Sequence, residues 1–142
     1  MAFSRTIHTE QLEAQTDKTP KFSLNGHVTQ AKVVKVYDGD TIHAVFNYLG
    51  TFYNWTCRIA HVDTPELRTK DAEEKKRGYE TRDKLTELIF NKIVTLKCGH
   101  FDKYGRLLVE IETEDKTPVH DWLIQGGYAK KYEGGTKEKW DF

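Results

Sequence analysis

Residues 28–62 read VTQAKVVKVYDGDTIHAVFNYLGTFYNWTCRIAHV, and this stretch decides the fold. Val28 to Tyr37 carries Val34 and Val36 on one face with Lys32 and Lys35 interleaved, a β-branched, partly alternating run that predicts a strand. Asp38-Gly39 follows as a hairpin signal. A second strand is predicted from Asp40, with Ile42, Ala44 and Phe46 facing the core and Thr41, His43 and Val45 facing away. Leu49-Gly50 marks the next turn. Thr51 to Val62 then reads as a third, long strand, in which Trp55, Cys57 and Ile59 share a face and Arg58 points the other way. Three strands joined by tight turns form a meander.

Downstream of the meander, Thr64-Pro65 stops the strand, because proline lacks a donor and fixes its own φ. Asp71-Ala-Glu-Glu74 resembles a capping box opening a helix to about Phe90, with Tyr79, Leu85, Leu88 and Ile89 as its buried stripe. Gly78 weakens that helix and Asn91 is its C-terminal cap. Ile93–Cys98 and Arg106–Thr113 alternate as two more strands. Thr117-Pro118 predicts a final helix, with Thr117 as cap, ended by Gly126-Gly127. The order β-β-β-α-β-β-α predicts a mainly β protein: a five-stranded OB-fold barrel with two helices, one plugging the barrel's end.

Upstream, residues 1–24 are polar and lack an apolar period, so they read as a partly disordered tail before a domain spanning 25–142. The length of 142 residues suits one core. With 37% hydrophobic and 31% charged residues the chain is globular, and no apolar run approaches the roughly 20 residues of a membrane helix. No apolar leader follows Met1, so either the protein is intracellular or a leader was removed before Met1; the starting Met leads us to expect the first, with no membrane partner, and a monomer is expected besides. Cys57 and Cys98 are too few for a disulfide scaffold and read as buried strand residues. The 22 Lys and Arg balance 22 Asp and Glu, which argues against a protein that coats nucleic acid by bulk charge but not against an enzyme gripping one phosphodiester.

Three acids stand near the meander's turns: Asp40, Asp63 and Glu66. Two carboxylates with a loop carbonyl suit a hard divalent cation, while turn chemistry alone would also explain aspartates there. Arg58, on the outward strand face, needs a carboxylate, a phosphate or water; a salt bridge to Asp63 is the structural alternative. Asp102-Lys-Tyr-Gly-Arg106 reads as a turn exposing Lys103, Tyr104 and Arg106, which fits either a solvated loop or contacts to base and phosphate. His43 and His61 read as ordinary strand positions. Lys75-Lys76-Arg77 reads as a solvated helix face, with a path for a nucleic-acid backbone as the alternative.

Taken together, Tyr37-Asp-Gly-Asp-Thr41, Arg58-Ile-Ala-His-Val-Asp-Thr-Pro-Glu66 and Asp102-Lys-Tyr-Gly-Arg106 resemble the staphylococcal nuclease (thermonuclease) family, from about Val28 to Tyr132. That resemblance implies an OB-fold, Ca²⁺-dependent endonuclease that hydrolyses phosphodiester bonds of DNA or RNA and leaves 3′-phosphate ends. It implies one divalent ion held by Asp40, Asp63 and the Thr64 carbonyl. It also implies catalytic roles for Glu66, which would hold or deprotonate water, and for Arg58 and Arg106, which would grip the phosphate. Lys103 and Tyr104 would touch the adjoining nucleotide. His61 stands where relatives carry a small or apolar residue, and the third helix of secreted members is expected to be missing or replaced. The alternative is a catalytically silent OB module that binds nucleic acid or a protein partner; retention of the acidic and arginine positions is what separates the two.

Overall fold

The computed structural model describes residues 2–140. Its elements are α1 (Ala2–Glu13), β1 (Val28–Val36), β2 (Thr41–Tyr48), β3 (Thr51–Ile59), β4 (Val62–Asp63), α2 (Ala72–Ile89), β5 (Ile93–Phe101), β6 (Leu107–Glu112), α3 (Val119–Gln125) and β7 (Lys130–Lys131). Five strands close a barrel in the order β1-β2-β3-β6-β5, the OB-fold arrangement, in which β3 and β6 pair in parallel. The barrel interior is filled by the alternate residues of each strand, among them Ile42, Ala44 and Phe46 of β2 as the sequence predicts. Leu85 and Ile89 from α2 and Val119 and Leu123 from α3 join that core. Both cysteines are free and buried.

The structure corrects several sequence readings, each for a local reason. In β1, Ala31 and Val33 are deeply buried and Val36 packs against the core half-buried; the register with β2 shifts between Val33 and Lys35, so a strict period of two does not run through the strand. In α2, Tyr79 is exposed and Gly78 and Thr81 take its place in the buried stripe. Asp71 does cap α2, accepting from the amides of Glu73 and Glu74. The reciprocal half of the box is absent, since the Glu74 carboxylate instead accepts from the Glu66 amide at 3.0 Å. At α3, Pro118 rather than Thr117 occupies the cap, and the Thr117 hydroxyl turns to Asp115. Residues 2–13, within the polar stretch expected to be a partly disordered tail, form α1; its side chains from His8 onward are exposed, and the chain first enters the core at Leu24.

The long third strand breaks at the end of β3. His61 has φ 72°, a left-handed conformation that ends the ladder and starts β4, which pairs with β7 in a second small sheet. The physical cause is Arg58. Its guanidinium donates to the carbonyl of Ile59 and, at 2.8 Å, to that of Val62, so these carbonyls turn inward on the arginine. No helix follows α3 among the described residues. Nor is any helix among them long and apolar enough to cross a membrane.

Candidate functional site

The β-register builds the site. Thr41 at the start of β2 lies opposite Arg58 near the end of β3, and Cys57 lies level with Leu107 at the start of β6. Asp40, Arg58 and Arg106 therefore stand on one rim of the barrel, and β4 brings Asp63 back beside them.

The Asp38–Asp40 turn opens that rim. The Asp38 carboxylate accepts from the amides of Asp40 at 3.1 Å and Thr41 at 2.9 Å, which fixes where Asp40 points. Burial, and then the negative charge of Asp40, push the Asp38 carboxyl up to about 7. Gly39 is not there for a left-handed φ: a Cβ on it would lie 2.6 Å from the Thr81 methyl and 3.0 Å from Thr64. The turn is thus clamped between α2 and the loop after β4. Gly78 does the same for that loop, since a Cβ there would meet Leu67, the Pro65 carbonyl and the Glu66 carbonyl at 3.0 Å or less.

Five polar residues of the site are nearly closed to solvent: Asp40 at 7% exposed, Thr41 at 6%, Arg58 at 8%, Asp63 at 4% and Thr64 at 3%. Charges this deep need partners. Arg58 lies 3.4 Å from Asp40, not in the salt bridge to Asp63 that the sequence left open. The Thr41 hydroxyl donates to Asp40 at 3.1 Å and accepts from Arg106 at 3.1 Å. Arg58, Asp40, Thr41 and Arg106 thus form one continuous polar chain.

Arg106 is aimed by its own loop. Asp102 accepts from the Arg106 Nε at 2.8 Å and from the amides of Tyr104 and Arg106 at 2.9 Å each. Burial works to raise the Asp102 carboxyl, but those amide bonds and the guanidinium outweigh it and hold the group below its ordinary value. Tyr104 is 72% exposed, with Lys103 and Arg106 on its ring at 5.2 and 5.5 Å. These three residues form an open, cation-flanked platform next to the buried chain.

Asp63 faces a different cation. Its Oδ1 is buried without a partner in hydrogen-bonding geometry, and the Lys137 ammonium stands 3.2 Å away, also 3.5 Å from Glu66. Burial works to lower the Lys137 pKa, but the charges of Asp63, Glu66 and Asp40 outweigh it and raise it. Among the described residues no three His, Cys, Asp or Glu side chains converge closely enough to hold a metal by themselves. The donor set available to a cation is therefore the carboxylates of Asp40 and Asp63 with a backbone carbonyl such as that of Thr64. An under-bonded carboxylate oxygen already facing an ammonium fits a hard divalent ion.

All eight residues singled out in the sequence lie at or beside this rim. Sequence reasoning missed Thr41, Asp102 and Lys137 as parts of it. Thr41 and Asp102 sit inside quoted motifs, so their adjacency to Asp40 and Arg106 was the available signal; nothing local points from Lys137 to Asp63. His43 is half-buried on its strand. His61 anchors the C-terminal segment, with Nδ1 3.0 Å from Glu133 and Nε2 3.7 Å from Glu110. The Glu133 contact is the main cause that raises its pKa.

Comparison with known proteins matches the family described as "Staphylococcal nuclease homologue" to residues 56–141. An "Uncharacterized endonuclease" of Escherichia coli O157:H7 is 30% identical over 104 residues, 72% of this chain and 60% of that protein. "Endonuclease YhcR" of Bacillus subtilis (strain 168) is 38% identical over 108 residues, 70% of this chain and 9% of that protein. "Uncharacterized protein MJ1439" of Methanocaldococcus jannaschii is 28% identical over 134 residues, 78% of this chain and 63% of that protein. The chain thus spans less than two thirds of each relative's length.

Proposed function

The chain belongs to the staphylococcal nuclease family, and from that premise we propose that it is a divalent-metal-dependent nuclease, served by Ca²⁺, that hydrolyses phosphodiester bonds of DNA or RNA and leaves 3′-phosphate ends. The observation that carries the reading is the polar chain linking Arg58, Asp40, Thr41 and Arg106, next to the under-bonded Asp63 oxygen. It supports one pocket that grips an anion and a cation together.

Donor counting supports the anion half. A guanidinium has five N–H donors. Arg58 directs donors at Ile59, Val62 and Asp40 and keeps others for phosphate. Arg106 directs donors at Asp102 and Thr41 and likewise keeps others. Both are held in place before substrate arrives, so little reorganisation remains at the moment of reaction. In the proposed reaction a water oxygen attacks phosphorus while the bond to the leaving 5′ oxygen breaks. Glu66, at the mouth of the pocket and half exposed, takes the water's proton or holds the water in line. Arg58 and Arg106 meet the charge that gathers on the nonbridging oxygens. Arg106 also stands to assist the departing oxygen. Asp40, Asp63 and the Thr64 carbonyl would hold the ion, which when bound supplies further positive charge to the phosphate. Lys103 and Tyr104 would contact the adjoining nucleotide, the tyrosine by stacking.

The test is hydrolysis of end-labelled single- and double-stranded DNA and RNA, with a chelator and after Ca²⁺ is restored, with product ends identified. Turnover should stop with chelator, return with Ca²⁺ and yield 3′-phosphates. Glu66→Gln and Arg106→Ala should each lower kcat by about 10²-fold or more with unchanged circular dichroism. Nucleic-acid binding without any hydrolysis would instead identify a silent OB module, and activity indifferent to chelation would remove the metal from the reading.

A further inference from the structure

Beside Glu66 lies an open groove of about 570 Å³, between the β1–β2 turn and α2. Its walls interleave two aromatic rings with three cations: Tyr37 and Tyr79 with Arg68, Lys75 and Arg82. Both rings are partly open to solvent, Tyr37 at 42% and Tyr79 at 41%. Each is held by a guanidinium. Arg68 donates to the Tyr37 hydroxyl at 3.1 Å, and the Arg82 guanidinium sits 4.7 Å from the centre of the Tyr79 ring. Exposed aromatic side chains on a helix and a turn cost solubility and contribute little to the core, so their pairing with cations points to a ligand with flat faces and negative charge.

Position narrows the ligand further. In the barrel order, the end of β1 and the start of β6 flank the β2–β3 rim that carries Asp40 and Arg58. Tyr37 follows the first and Arg106 precedes the second, so the groove and the Tyr104 platform lie on opposite sides of the buried pocket. A strand whose phosphate is held at Arg58 and Arg106 can leave on the Tyr104 side or on the Tyr37 side. The other exit past Glu66 is closed to a polyanion. Its lining holds five acids (Asp63, Glu66, Asp71, Glu74 and Glu138) against Lys137 and Lys139. The groove instead holds three cations against Asp38 and Glu66.

We propose that this groove is a second nucleotide subsite, in which unpaired bases stack on Tyr37 and Tyr79 while Arg68, Lys75 and Arg82 hold their flanking phosphates. The proposal deepens the nuclease reading and rests on it for the placement of the scissile phosphate. Paired bases cannot offer both faces to the tyrosines, so duplex nucleic acid gains only the phosphate contacts.

The test is binding, measured without turnover. Fluorescence anisotropy of labelled oligothymidylate of eight nucleotides is compared with a base-free octamer of the same sugar-phosphate backbone, both in chelator. Tyr37→Ala and Tyr79→Ala should each weaken oligothymidylate binding about tenfold and leave the base-free octamer unchanged. Arg68→Ala should weaken both and flatten the slope of log affinity against log salt by about 0.7, one phosphate contact on a single strand. Loss of affinity for both probes in the tyrosine variants would mark a merely structural role and overturn the subsite. So would unchanged binding in all three variants, or no binding by the parent chain. Tyrosine-dependent binding by a chain that hydrolyses nothing would sink the nuclease reading and leave the subsite standing. Hydrolysis by a chain whose binding ignores the tyrosines would do the reverse.

Discussion

Gly78→Ala sets two opposing effects against each other at one atom. Within a helix, alanine is favoured over glycine by about 1 kcal/mol, so helix propensity alone predicts a more stable protein. The new Cβ, however, would lie 2.8 Å from Leu67 Cδ2, 2.9 Å from the Pro65 carbonyl oxygen and 3.0 Å from that of Glu66. The leucine can rotate away. The two carbonyls are backbone, and relieving them means moving α2 and the loop apart by about half an ångström. Overpacking of this kind costs about 1–3 kcal/mol, so the net is destabilisation of about 1 kcal/mol and a fall in melting temperature of about 3 °C. The loop that moves carries Thr64 and Glu66 and adjoins Asp63 at the end of β4. If a displacement of about 1 Å can cost 10²-fold, half of that predicts a drop in kcat of about tenfold, far beyond what the lost stability explains at 25 °C. Thermal unfolding by circular dichroism and initial hydrolysis rates on single-stranded DNA measure the two effects separately. A variant that melts higher than the parent and turns over at the parent's rate would refute both the tight contact and its link to the site.

Asp102→Asn should cost about 2 kcal/mol at neutral pH, because a charged acceptor of three hydrogen bonds becomes neutral. The Asp102 carboxyl is held below its ordinary 3.8, so its contribution is complete above about pH 4 and is lost as pH falls through the lowered value. Urea unfolding of parent and variant should therefore converge in acid, and a constant gap down to pH 2 would contradict this. Ca²⁺ at a hundred times its dissociation constant should stabilise the parent by about 2.7 kcal/mol in a thermal-shift assay, and Asp63→Asn should abolish the shift. Lys137→Met should tighten Ca²⁺ binding in titration calorimetry, because the ammonium at 3.2 Å from Asp63 competes for the same oxygen. Weaker Ca²⁺ binding in that variant would show that the lysine supports the cation site.

The barrel was legible because a period of two names the inward face, and the outcome for Ile42, Ala44 and Phe46 shows how far that goes. It broke down between Val33 and Val36, where the register shift inverts the alternation and Val36, three residues after buried Val33, packs against the core. It failed at His61 because the side chain that broke β3 was Arg58, whose bonds to carbonyls farther along the chain no periodicity encodes. Gly39 and Gly78 carried another kind of information. Read along the chain, one is a turn former and the other a helix weakness; in space, each is where two segments touch. The rim acids and arginines could be named from their residue types and turns. The contacts that aim them could not, because Thr41 meets Arg106, and Lys137 meets Asp63, only through the closure of the barrel and the pairing of β4 with β7.

Neutral composition gave a similarly incomplete answer about nucleic acid. The 22 basic and 22 acidic residues cancel over the chain, yet at physiological salt charges are screened beyond about 8 Å, so a phosphate at the rim responds to its neighbours and not to the sum. Those neighbours are sorted by sign. Arg68, Lys75 and Arg82 line one side of Glu66, against Asp38. Asp71, Glu74 and Glu138 lie on the other, beside the carboxylate that Lys137 neutralises. Charge of this kind would draw a polyanion along the first side and turn it away from the second, and would draw a small cation to the second. On the proposed reading, this separation would let one pocket recruit both without the surplus of basic residues that would hold the protein on nucleic acid it is not cutting.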